Sequence, residues 1–184
     1  AEILIRMLPL LRDLGVDAAW GVIKGNEKFF NITKKMHNAL HGVEVPIGPE
    51  ELDYFVEVNR ENAQEIMVGA DILFIHDPQP IVLIGQKNKL GGKWVWRCHI
   101  DFTNPKKDVW DFLKSYIERY DCSIFSAPAF SRPLAVRQVL ISPSIDPLSD
   151  KNKELPDDLV NGICERFKLD RRRPIITQIS RFDY

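Results

Sequence analysis

Residues 70–80 read ADILFIHDPQP. Four consecutive apolar side chains, Ile72 to Ile75, lead into an imidazole and a carboxylate, and two prolines then break the chain. A short apolar run without alternation suits a strand buried in a parallel sheet. Residues 93–102, KWVWRCHIDF, repeat the plan. Trp94, Val95 and Trp96 belong in a sheet, Arg97, His99 and Asp101 follow on alternate positions, and the stretch TNP breaks the chain. A core does not ask for a cation, an imidazole and a carboxylate at the end of a strand.

Between and around these strands the periodicity turns helical. Residues 49–68 carry PEELDYFVEVNRENAQEIMV, with proline at the first helical position and acidic residues near the positive helix end. The inner stripe there is Leu52, Phe55/Val56, Asn59, Ala63 and Ile66, and the amide of Asn59 on that line needs a partner. PKKDVWDFLKSYIERY predicts a helix with Val109, Phe112, Leu113, Tyr116 and Ile117 inward. NEKFFNITKKMHNALHG predicts another, opened by an Asn cap and closed by Gly42. The first helix has Leu4, Met7, Leu8, Leu11 and Leu14 at helical spacing and ends at Gly15. DAAWGVIKG, residues 17–25, reads as a short strand, and DCSIFSAP, RQVLISPSIDP and RRRPIITQISRFDY supply three more. PDDLVNGICERFKL is a further helix.

Alternating strands and helices predict an α/β fold, a Rossmann-like parallel sheet with helices on both faces. Composition turns basic at residues 169–174, so we place a domain over residues 1–170 and a linker with the first strand of another over residues 171–184.

The 184 residues allow a real core, and a net charge of −1 gives no reason to expect nucleic acid or an anionic membrane. Three cysteines, Cys98, Cys122 and Cys164, lack metal spacing and are odd in number, which argues for reduced thiols in the cytoplasm. No run approaches the roughly 20 apolar residues of a membrane span. The sequence shows neither a nucleophile elbow nor a glycine-rich or Walker loop.

In open parallel sheets, ligands bind beyond the carboxyl ends of the strands. That rule selects His76, Asp77 and Gln79 after one strand, and Arg97, His99 and Asp101 after the next. Each has a plainer reading. The histidines can be satisfied structural groups, Asp77 and Asp101 can cap helices, and Gln79 and Asn59 can brace loops. Metal ligation by the histidines and aspartates has no third His or Cys at suitable spacing.

At IHDPQP, WRCHIDFTNP, SPSIDPLSDKN and PIITQISRFD the chain resembles the trehalose glycosyltransferring synthases, retaining glycosyltransferases of the GT-B fold. FFNITKKMHNALHG and VNRENA fit the same family. The resemblance implies the N-terminal, acceptor-side half of a two-domain enzyme, without the first strand and glycine-rich loop. Such a piece is expected to be inactive alone. The implied reaction moves glucose from a nucleoside diphosphate glucose to glucose, forming α,α-trehalose reversibly, with no cofactor and no metal. The implied partners are glucose, trehalose and the nucleotide sugar, without nucleic acid or membrane, and with a homodimer as one option. The resemblance gives His99 and Asp101 to catalysis, and Asn59, His76, Asp77, Gln79 and Arg97 to the sugar. Arg181 in SRFD would face the donor diphosphate, as a planar cation suits phosphate oxygens. A trehalose phosphorylase of related fold and a non-catalytic sugar-binding module are the competing readings.

Overall fold

The structure is a computed structural model that describes residues 2–66, 69–146, 149 and 152–176. Two compact units divide the chain, Ala1–Pro143 and Ser144–Tyr184. The first is built on four strands: β1 (Ile72–His76), β2 (Lys93–Arg97), β3 (Cys122–Phe125) and β4 (Arg137–Leu140). They lie side by side in chain order, every pair parallel. The α/β architecture expected from the alternation is the one found.

Register decides where the polar tips fall. His76 lies opposite Arg97, and Arg97 opposite Ile124. The ends of β1 and β2 therefore sit level, and the residues that follow them leave the sheet together.

The core occupies one face of the sheet. Leu73 and Ile75 of β1, Trp94 and Trp96 of β2 and Phe125 of β3 are buried there. Joining them are residues of α2 (Glu27–Leu40), α3 (Pro49–Ile66) and α5 (Lys107–Ile117). Phe29, Phe55 and Phe102 are fully enclosed, each worth about 1.5–3 kcal/mol of burial. On the other face Ile72 and Phe74 stay exposed, so the apolar run of β1 is buried on one side only. Both tryptophans belong wholly to the core; neither presents a wall to a ligand.

The helices start and stop as their residues dictate. The Asn26 side chain accepts from the Phe29 amide at 3.0 Å and opens α2. Gly42 closes it at φ +88, where an added Cβ would meet the Asn104 carbonyl oxygen at 2.9 Å. In α3, Phe55, Asn59 and Ala63 are buried as the stripe requires. A 3-10 turn (Ile81–Gln86) and α4 (Lys87–Leu90) follow β1 and lead into β2. In α1 (Glu2–Asp13), Leu4, Leu8 and Leu11 are half-buried, while Met7 and the following Leu14 are exposed.

One element differs outright. Residues 17–25 form no strand. The backbone of Lys24 is held by a side chain: its amide donates to Asn62 Oδ1 at 2.6 Å, and Asn62 Nδ2 donates to its carbonyl at 2.8 Å. Asn62 thus supplies the two bonds that a neighbouring strand would make, and the segment runs against α3.

The second unit contains α6 (Asp157–Arg166). Beyond it, Asp170 pairs with Arg172 at 3.0 Å, so the basic run is partly neutralised by its own carboxylate. The strand expected in RRRPIITQISRFDY falls largely on residues 177–184, Arg181 among them, which lie outside the described residues. No helix among the described residues is long and apolar enough to cross a membrane.

Candidate functional site at the tips of β1 and β2

The chain turns sharply after β1. Asp77 takes φ +65, the left-handed region that aspartate tolerates better than most side chains. Three hydrogen bonds hold it there. Its amide donates to the Arg97 carbonyl at 2.8 Å, its carbonyl accepts from Trp96 Nε1 at 3.0 Å, and its Oδ1 accepts from the His99 amide at 2.9 Å. The carboxylate of one strand tip therefore fixes the backbone of the next. Asp77 does not cap the turn that follows, where Pro80 stands at the capping position.

This tether brings the two histidines together. His76 Nδ1 and His99 Nε2 are 3.1 Å apart, and the rings are parallel within 6°, with centroids 5.4 Å apart. Burial is the first cause lowering the pKa of both. His76 is pushed down to about 4 by burial, then by charge on His99, while Asp77 acts in the opposite sense. For His99 the direction is the same: Asp77 opposes and the Arg97 cation assists. Both rings are neutral at pH 7 and offer hydrogen-bonding groups rather than charge.

Arg97 is buried and donates from Nη2 to the Ile141 carbonyl at 3.0 Å. Among the described residues no carboxylate pairs with it, so it ties β2 to the chain leaving β4 and does not orient Asp101. Asp101 accepts from the Thr103 amide at 2.7 Å and from the Thr103 hydroxyl, shaping the TNP turn. It does not cap α5 either; Lys106 occupies that position.

The two amides lie elsewhere. Gln79 is half-buried beside a cavity of about 10 Å³, shared with Thr33, His37, Phe55 and Ile100, which holds one water at most. Asn59 is 1% exposed; its Nδ2 donates to the Phe55 carbonyl at 3.0 Å and its Oδ1 has no donor. The structure gathers His76, Asp77, His99 and the Arg97 backbone into one cluster, and leaves Asn59 inside the core.

Cys98 sits between Arg97 and His99 with its thiol buried, and burial pushes its pKa up, which makes it inert. Among the described residues no three His, Cys, Asp or Glu side chains gather as a metal site. Periodicity gave no sign of two contributors. Thr103 completes the Asp101 turn, a role its place two residues after an aspartate signals. Trp96 braces Asp77 through its indole N–H, a role nothing in the strand pattern marks.

A neutral imidazole pair beside a tethered carboxylate, beyond the carboxyl ends of parallel strands, is suited to polar, uncharged hydroxyl groups. Comparison with known proteins gives the fold and the family. A solved trehalose-6-phosphate synthase, studied with bisubstrate glycomimetics of glycosyl transfer with retention, superposes with a TM-score of 0.60 at 18% identity. The match covers 88% of this chain and 50% of that one and establishes the fold. The trehalose synthase of Pyrococcus horikoshii is 46% identical over the whole chain, that of Thermococcus litoralis 44% and that of Rubrobacter xylanophilus 40%. The chain spans 45% of the length of the first two and 46% of the third. A family profile described as trehalose synthase, N-terminal domain, matches residues 1–132. With most of its length matched and the β1 and β2 tips inside the match, the chain belongs to the trehalose synthase N-terminal-domain family.

Proposed function

We propose that the full-length protein carrying this chain transfers a glucosyl group from a nucleoside diphosphate glucose to glucose, forming α,α-trehalose with retention and without metal. In this reading the chain is the acceptor-side half, inactive alone, of a cytoplasmic enzyme. The observation that carries the proposal is the neutral His76–His99 pair at the strand tips, fixed by Asp77. A hydroxyl both donates and accepts, and neutral imidazoles meet it on both counts.

His99 is the more exposed ring and takes a hydroxyl of the donor sugar. Asp101 and Gln79 stand at the margin of the same strand ends, with Asp101 Oδ2 and the Gln79 amide as further hydroxyl contacts. His76, Asp77 and Arg97 shape the site from behind it. The donor diphosphate falls to Arg181. Rate enhancement comes from positioning and leaving-group stabilisation, since no carboxylate pair of the hydrolase kind is needed.

The test is product analysis. The full-length protein is incubated with ADP-glucose or UDP-glucose plus glucose, with chelator present, and the sugars are separated. Trehalose and free nucleoside diphosphate are expected. Trehalose turnover that requires inorganic phosphate and ignores nucleotide would replace this reading with a phosphorylase.

A further inference from the structure

His76 Nδ1 and His99 Nε2 face each other at 3.1 Å. Two bare lone pairs at that distance repel, and two N–H groups collide, so one proton lies between the rings. Both rings are neutral at pH 7, and a neutral imidazole carries one N–H. Two protons are therefore distributed over four nitrogens, with one of them held between the rings. The second sits on an outer nitrogen, either His99 Nδ1 or His76 Nε2. When His99 Nε2 keeps the inner proton, His99 Nδ1 is an acceptor and His76 Nε2 a donor. When His76 Nδ1 keeps it, both polarities reverse. Among the described residues neither outer nitrogen has a protein hydrogen-bond partner.

We propose that His76 and His99 act as one neutral shared-proton unit, in which His76 sets the polarity of His99 Nδ1, the atom that meets a sugar hydroxyl. His76 is a positioning residue: it acts through His99. The unit always presents one donor and one acceptor, which complements a pair of sugar hydroxyls and leaves no net charge to select a phosphate. Asp77 fixes the approach of the rings by holding the His99 amide, and its φ of +65 points the chain away after His76. The identity of the hydroxyl rests on the transferase reading; the sharing of the proton does not.

Two readouts separate these claims in the full-length protein. The first is long-range proton–nitrogen NMR of ¹⁵N-histidine-labelled wild type at pH 7. Both rings are expected to be neutral, with one low-field N–H proton between them that disappears in His76→Leu. A cationic His99 at pH 7, or no N–H in wild type that depends on His76, overturns the proposal whatever the enzyme does. The second is trehalose formation by His76→Asn and His76→Leu. Asparagine places an amide where Nδ1 stood and can donate or accept; leucine has the same shape without polarity. Asparagine is expected to retain kcat/KM within about threefold, and leucine to lose about tenfold, the value of one hydrogen bond. Equal losses in the two variants would contradict the positioning role. No trehalose from wild type would remove the transferase reading while leaving the spectrum to decide the shared proton.

Discussion

His76 and His99 stand 23 positions apart in sequence and 3.1 Å apart through their ring nitrogens. The parallel register of β1 and β2 makes this contact, since His76 lies opposite Arg97 and His99 follows two residues later. Folding also leaves His76 a weaker base than it is in the unfolded chain. Its pKa falls from 6.5 to about 4, first through burial. Between those values the unfolded chain binds more protons than the folded one, so stability is complete above pH 6.5 and is lost as pH falls toward 4. Thermal unfolding followed across that window is expected to show a declining midpoint. His76→Asn is expected to flatten part of the decline.

Asp77 carries the second relationship on which the site depends. Its carboxylate accepts the His99 amide while its own backbone is left-handed. Asp77→Asn keeps both an acceptor and a tolerance for that conformation, and is expected to cost under about 1 kcal/mol. Asp77→Ala loses both and is expected to cost about 1–3 kcal/mol, measured by denaturant unfolding.

Asn62 offers a test away from the site. It closes two hydrogen bonds on the Lys24 backbone and a third on the Val58 carbonyl at 2.8 Å. Asn62→Ala is expected to cost about 1–3 kcal/mol and to release the segment before α2. Hydrogen exchange at the Lys24 amide reports this directly: its protection should collapse while the β2 amides keep theirs.

Asn59 gives the opposite sign. Its Oδ1 is buried without a donor, a cost that an apolar side chain of similar volume removes. Asn59→Leu is expected to leave stability unchanged or raise it by about 1 kcal/mol, by denaturant midpoint.

Much of this was legible in the sequence, and the omissions have physical causes. The apolar runs at Ile72 and Trp94 mark strands because runs so short, closed by polar residues, fit a strand better than a helix. Their polar ends marked the candidate site because parallel sheets place ligands there. Residues 17–25 were misread because their apolar content resembles a strand, while the partner that decides the matter, Asn62, lies 38 positions away. Capping, the plainer reading of Asp77 and Asp101 from local spacing, fails because the first is claimed by a neighbouring strand and the second by its own turn. The resemblance gives Asn59 to the sugar, and its place on the apolar stripe says only that its amide needs a partner; packing shows that the stripe encloses it.

The most direct measurement is kcat for trehalose formation by His99→Ala in the full-length protein, with circular dichroism to confirm the fold. A loss of about a hundredfold or more in kcat, with the spectrum and unfolding midpoint retained, is the expected result for a group that acts on the reacting sugar. Turnover within about threefold of wild type would remove His99 from the reaction and contradict the placement of the site at the tips of β1 and β2.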